Sequence, residues 1–263
     1  IRHVLELRRQ GVKEIHLIGQ NVNSYRPKIE SGLENFRGAT PFARLLRAVA
    51  GTGIERIKFT TSFPRDFHPD IIDAINEHDN LCNWVHLPVQ SGSDSILKRM
   101  RRGHTIENYV RRIDKLRSSP RDIALSTDII VGFPGETADD FRDTVKMVEY
   151  CGFDFAYIFK YSPRPGTPAF AMQDDVSPAE KTRRFRELEV VQRRRQDERL
   201  KRYLSRVVQV LPERISARST SDLSGHSTCH KLVNFPATDQ LLGKLIDVKI
   251  NEVKTNTLYG EVC

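Results

Sequence analysis

Along residues 1–161 the apolar positions switch repeatedly between two spacings. Val4, Leu5 and Leu7 fall on one side of a helix over residues 1–10, which stops at Gly11. A short strand follows, Glu14-Ile-His-Leu-Ile18, and then a long polar insertion over about 26–39. Phe42, Leu45, Leu46 and Val49 return to helical spacing, with Gly51 and Gly53 as stop signals. The alternation continues through a strand at 56–60, a helix at 68–78 and a strand at Trp84–Leu87. A helix over 106–118 precedes the apolar run of Ile123, Leu125, Ile129, Ile130 and Val131. A helix over 138–150 and a strand from Phe153 to Tyr161 complete the series. Strict strand–helix alternation predicts a parallel α/β sheet. Every strand runs into a loop rich in Gly, Asn, Gln, Ser or Pro, whereas the loops after helices are plain. Barrel enzymes build their sites from such strand-end loops. The pattern therefore reads as a partial TIM-like barrel whose first helix lacks a leading strand.

Ser126-Thr-Asp-Ile-Ile-Val-Gly-Phe-Pro-Gly-Glu-Thr137 is the stretch on which this half of the chain turns. Its front is a buried parallel strand. Gly132, Pro134 and Gly135 then break it, and Thr137 with Asp140 opens a helix. Two glycines allow close approach to a ligand; a tight turn before a well-capped helix is the other reading. Residues 177–203 form one long charged helix from Ser177-Pro178. After it come short alternating strands at 206–211, 231–235, 245–250 and 257–262, which suggest a small closed β-barrel of the oligonucleotide-binding sort. We read domains at 1–203 and 204–263.

The formal charge is +8, which points toward a polyanion such as nucleic acid. Residues 97–121 hold nine lysines and arginines against two acids, beside the strand-end loops, and Arg101 and Arg102 there are RNA-contact candidates. Residues 177–206 hold eleven against five, which reads as a solvated helix face. In the tail, Arg214, Arg218, Lys231, Lys244 and Lys249 are candidates to track phosphates. Cys82, Cys151, Cys229 and Cys263 form neither a CxxC pair nor a disulfide framework, so a reducing, cytoplasmic setting is expected. No apolar run is long enough to span a membrane. No Cys/His cluster has metal spacing. The opening at Ile1, directly in a helical pattern, suggests a piece cut from within a domain.

Four motifs occur in order: Gly19-Gln-Asn-Val-Asn-Ser-Tyr25, His86-Leu-Pro-Val-Gln-Ser-Gly-Ser93, Asp128-Ile-Ile-Val-Gly-Phe-Pro-Gly-Glu136 and Arg164-Pro-Gly-Thr-Pro168. Together they resemble the radical S-adenosylmethionine methylthiotransferases, in the form that acts on isopentenyl- or similarly modified adenosine beside the tRNA anticodon. Leu223-Ser-Gly-His226 and Leu232-Val-Asn-Phe235 resemble a TRAM domain, a small RNA-binding β-barrel. The resemblance covers nearly the whole chain. It implies S-adenosylmethionine, two 4Fe–4S clusters, tRNA as substrate, a reductant such as flavodoxin or ferredoxin, and a monomer. The family's Cys-x3-Cys-x2-Cys run is absent from these residues. Thiolates hold such clusters, so the resemblance places the ligands upstream of Ile1 and no metal ligand within this chain.

In the family the cofactor is cleaved reductively, and the resulting 5′-deoxyadenosyl radical takes hydrogen from the adenine. The resemblance puts Gln20, Asn21 and Asn23 on the loop that meets the cofactor's amino end, where amides suit an amino-acid head group. Ser62, Gln90 and Ser91 are available to carboxylate or ribose, Ser126 and Asp128 lie near the central strand's end, and Gly132, Gly135 and Glu136 approach the adenine. Arg164, between two prolines, could pair with phosphate or carboxylate, or hold its own loop by a salt bridge. Local turn bonding is the alternative for each polar residue. His86 reads as a bonded core histidine. Two other functions stay open: a non-catalytic RNA-binding module, and a related methylthiotransferase acting on ribosomal protein or another tRNA adenosine.

Overall fold

The computed structural model describes residues 1–29, 32–217 and 219–263; the candidate Arg218 lies outside them. The first half runs α1 (Arg2–Arg9), β1 (Glu14–Leu17), α2 (Pro41–Ala50), β2 (Arg56–Phe59), α3 (Pro69–Glu77) and β3 (Trp84–His86). It continues through α4 (Asp94–Arg99), α5 (Ile106–Arg117), β4 (Ala124–Val131), α6 (Ala138–Cys151) and β5 (Phe155–Lys160). All the pairings among β1–β5 are parallel: β1 with β2, and β3 with β4 with β5. The two groups join where Ile57 accepts from Cys82 at 2.9 Å and donates to Asn80 at 2.8 Å. The strands thus lie in chain order as an open, curved half-barrel, as the alternation predicts.

Helices cover the outer face because the apolar side chains of strand and helix meet there. Ile57, Phe59, Val85, Leu125, Ile129 and Val131 pack with Phe42, Leu46, Ile71, Ile75, Ile113 and Val148 in one core. The opposite, inner face carries His16, Lys58, His86, Ser126, Asp128 and Tyr157, set by the two-residue period of each strand. α6 starts on a full capping box between Thr137 and Asp140 and ends on Gly152 in the left-handed region. α4 escapes the sequence pattern because six residues are too few to display a helical period, although Ser93 caps it.

α7 (Pro178–Lys201) then crosses back along β5, and five strands close a barrel: β6 (Val207–Ile215), β7 (Asp222–Ser227), β8 (Leu232–Pro236), β9 (Ile246–Val253) and β10 (Leu258–Val262). The pattern alone shows only four of these. β7 reads Asp-Leu-Ser-Gly-His-Ser, with one large apolar residue, and its small side chains are what the crowded barrel interior accepts. A Cβ on Gly225 would sit 2.0 Å from the Leu211 carbonyl oxygen.

The charged α7 is not simply a solvated face, a correction to the sequence reading. Lys181, Arg184, Gln192 and Gln196 are buried along it. Arg184 pairs with buried Glu136 at 2.6 Å, Lys181 with Asp174 at 2.6 Å, and Gln192 donates to the Phe153 carbonyl. At its end Arg199 and, from the small barrel, Lys231 both reach Asp154. The small barrel seats against the N-terminal ends of the half-barrel strands. Arg56 donates to the carbonyls of His226 and Ser227 at 3.0 Å each, and Trp84 stacks on His230 at 4.1 Å.

Candidate active site at the strand ends

Ligands of barrel folds bind where strands end, and here those ends carry strained backbone. Thr61 (φ 60°) leaves β2 and Gln90 (φ 77°) follows β3, both in the left-handed region that non-glycine residues avoid. Gln90 is held there by its backbone, which donates to the Asp128 carbonyl and accepts from Ile130, both at 2.9 Å. Its side-chain amide has no hydrogen bond among the described residues. Thr61 ties the first two exit loops, its hydroxyl donating to Gly19 and its carbonyl accepting from Val22. Ser62 is buried and its hydroxyl has no partner among the described residues. A buried polar group without a partner is rare and calls for an explanation such as a ligand.

Arg102 enters the same mouth. Its guanidinium lies over the Phe63 ring at 5.1 Å from the centroid and reaches the Pro88 carbonyl at 3.4 Å, while its Nε is buried without a partner among the described residues. Burial pushes its pKa below the usual guanidinium range, against the pull of Asp128. Arg102, an RNA-contact candidate from its place beside the strand-end loops, thus stands half-buried at the mouth itself. His86 is no plain core residue. Its two ring nitrogens meet Ser126 Oγ at 2.9 Å and Asp128 Oδ1 at 3.5 Å, on the inner face. The step of two from Trp84 to His86 to Pro88 was the signal available in the sequence.

Gln20 and Asn21 are exposed at the end of β1, with side chains free of hydrogen bonds among the described residues. Gln20, Asn21, Ser62, Gln90, Asp128 and Arg102 therefore line the mouth formed by four consecutive strand ends. Arg164 is exposed on the last exit loop, its guanidinium unpaired among the described residues, so no salt bridge holds that loop through it.

Other candidates are used within the protein. Asn23 is fully buried and bonds both the amide and the carbonyl of Phe63, at 2.6 and 2.9 Å. Ser91 is buried, accepts from the Ser93 amide and meets Thr144. Ser126 accepts from Trp84 Nε1 at 2.9 Å in addition to meeting His86. The close approach that Gly132 and Gly135 permit is taken by Lys181 and Arg99 side chains, and their amides donate to Glu136 and Asp175. Glu136 is buried on Gly132 and Arg184; burial pushes its pKa up while those two partners pull it back. In the small barrel Lys231 is buried against Asp154, whereas Arg214 and Lys244 are exposed, as is Arg101 after α4. Asn23, Ser91, Ser126, Gly132, Gly135, Glu136 and Lys231 thus have partners within the protein, unlike the side chains of Gln20, Asn21 and Gln90.

A cavity of about 190 Å³ lies at the other end, between the strand starts and the small barrel, lined by Trp84, Ser126, Asp154, Tyr157 and His230. It is an interface void beneath the mouth.

The radical SAM superfamily model matches residues 1–148, more than half of the chain. The chain belongs to the radical SAM superfamily. A TRAM domain model matches residues 201–263, the closed barrel. The chain is 46% identical over 263 residues to a tRNA-2-methylthio-N(6)-dimethylallyladenosine synthase of Acetivibrio thermocellus, covering all of this chain and 53% of that protein. Proteins of the same name from Acidovorax sp. and Haemophilus influenzae are 46% and 44% identical, over 96% and 98% of this chain and 56% and 54% of theirs. The chain spans about half the length of these curated relatives. Coproporphyrinogen III oxidase from Escherichia coli, a radical SAM enzyme, shares the fold with a TM-score of 0.54 at 14% identity, over 98% of this chain and 63% of that one.

The superfamily implies S-adenosylmethionine and a 4Fe–4S cluster. The mouth fits the first: orphaned Ser62 Oγ and Arg102 Nε, unpaired amides at Gln20, Asn21 and Gln90, and the Asp128 carboxylate suit an amino-acid and ribose ligand. The cluster does not fit these residues. No group of three metal-binding side chains occurs among the described residues, and Cys82, Cys151 and Cys229 are buried apart from one another. No helix of the described residues is long and apolar enough to cross a membrane.

Proposed function

We propose that this chain is the barrel and TRAM portion of a tRNA methylthiotransferase, with domains at 1–203 and 204–263. The enzyme adds a methylthio group to C2 of an N6-modified adenosine next to the anticodon. The observation that carries this reading is 46% identity, over the whole chain, to enzymes named for that product. Its cofactors are S-adenosylmethionine and two 4Fe–4S clusters, with thiolates from outside these 263 residues. Its partners are tRNA and a flavodoxin or ferredoxin, and it acts as a cytoplasmic monomer.

S-adenosylmethionine, once bound, supplies the radical chemistry. The protein's share is orientation and exclusion of water. Asn21 and Gln20 offer acceptors to an ammonium, and Arg102, pre-placed over Phe63, offers a guanidinium to a carboxylate. Ser62, Gln90 and Asp128 would be available to ribose hydroxyls, and Arg164, exposed on the last exit loop, to a phosphate or carboxylate. The test is nucleoside mass spectrometry of tRNA from cells lacking the gene and carrying the full-length protein or its variants. Wild type restores the 2-methylthio nucleoside; Asp128→Asn and Arg102→Ala lower the yield at least about tenfold, the scale of one lost charged contact of about 1.5–3 kcal/mol. Absence of that nucleoside with wild type would sink the reading.

A further inference from the structure

The charge of the molecule sits on the wrong domain for the tail to be its main polyanion surface. From residue 204 onward there are seven basic residues and six acidic ones, one of the basics being the buried Lys231. The half-barrel therefore carries nearly all of the +8. Much of that charge lies on one flank. Two adjoining hollows share Asn108 and run from the exit loops of β1 and β2 across α3 and α5 to the end of α4. Arg26, Arg65, Lys98, Arg101, Arg111 and Lys115 stand exposed along them, against Asp66 and Asp94.

The trough is built rather than incidental. Beneath it Arg112 donates to the carbonyls of Phe67, Asn108 and Arg65, at 3.0, 2.7 and 3.1 Å, and so locks α5 to the β2 exit loop. Lys98, Arg101 and Lys115 have no ion pair among the described residues, whereas Arg65 is paired with Asp66 and Arg111 with Glu107 at 3.6 Å. At its upper end Arg65 and Arg102 flank the Phe63 ring, at 5.0 and 5.1 Å, so the trough opens into the strand-end mouth. None of the exposed large apolar residues lines it. A protein partner docks through an apolar centre; a row of exposed cations without one, three of them unpaired among the described residues, suits a phosphate backbone, where affinity comes from counterion release.

We infer that this flank is the backbone-tracking surface for RNA, leading the strand to the mouth. The inference rests on the function proposed above, because it supplies the path by which an RNA substrate reaches the site. The test uses the full-length protein and two RNAs, an anticodon stem-loop and an unrelated hairpin, with affinities measured over a range of salt. Lys98→Ala/Arg101→Ala/Lys115→Ala should weaken both RNAs and reduce the log–log salt slope by about 2. Arg186→Ala, on the exposed side of α7, should change neither. Circular dichroism melting shows that each variant is folded. An unchanged slope for the triple variant, or a slope that falls only with Arg214→Ala/Lys244→Ala, overturns the surface. So does loss of binding to an acidic flavodoxin with RNA affinity intact. Failure of the function reading shows separately, as absent methylthiolation while both RNAs still bind through the trough.

Discussion

Asn21 and Asn23 are two residues apart in one loop and indistinguishable by type, yet the fold gives them opposite duties. Asn23 joins two strand-end loops by bonding both polar groups of the Phe63 backbone. Asn23→Ala would leave a buried amide and a carbonyl unmatched, costing about 1–3 kcal/mol, read as a lower urea midpoint. Asn21→Ala should leave that midpoint unchanged and weaken S-adenosylmethionine binding. Equal destabilisation by both would show that the loop has no such division of labour. The types and approximate places of the site residues were legible in the sequence. Which hydroxyl is orphaned and which is satisfied was not, because that depends on neighbours such as Thr144 and Trp84, many positions away in the chain.

Among the elements, α7 departs most from its sequence. Eleven basic residues over 177–206 suggest a surface helix, and the helix is one, but its buried inner stripe sets Lys181, Arg184, Gln192 and Gln196 beside Leu188 and Leu200. That stripe works because each charge meets a fixed partner: Arg184 with Glu136, Lys181 with Asp174, Arg199 with Asp154. Arg184→Ala strands the buried Glu136 carboxylate and should cost about 3–5 kcal/mol, visible as a lower melting temperature. The double variant Arg184→Met/Glu136→Leu should recover much of the loss. If the single variant melts like wild type, the pair is not holding α7 to the Gly132–Glu136 turn. β7 shows the reverse error. Its small polar residues look like a loop, and only the tight β6–β7 contact at Gly225 explains why they form a strand.

At the scale of the molecule, the two domains meet through polar and aromatic groups that a change of pH can reach. His230 stacks between Trp84 and His226, and burial drives its pKa down to about 3. The unfolded chain binds that proton at about 6.5, so between pH 6.5 and 3 the unfolded state holds more protons and stability falls as pH falls. From pH 7 to pH 5 the loss attributable to His230 is about 2 kcal/mol. His230→Asn, which tolerates the positive φ of that position, should flatten this part of the urea-stability profile. A variant profile as steep as wild type would assign the effect to other groups. Asp154 acts in the opposite range: Lys231 and Arg199 overcome its burial and hold it at about 2, so its contribution persists until pH drops below about 4.

The sequence by itself determined the alternation of strand and helix, the polar character of every strand exit, the closing β-domain and the family. Those are written in local periodicity, in turn residues and in motifs a few residues long. Tertiary structure alone decided which side chains are left over for a ligand. Glycines that would admit a cofactor were filled by Lys181 and Arg99, and a lysine that would face RNA was drawn to Asp154. It also brought Arg102 into the mouth and gathered the exposed cations of one flank into a trough. The physical reason is the same in each case: a buried polar group takes a partner wherever the fold supplies one, and strand, helix and loop supply it from distant parts of the chain.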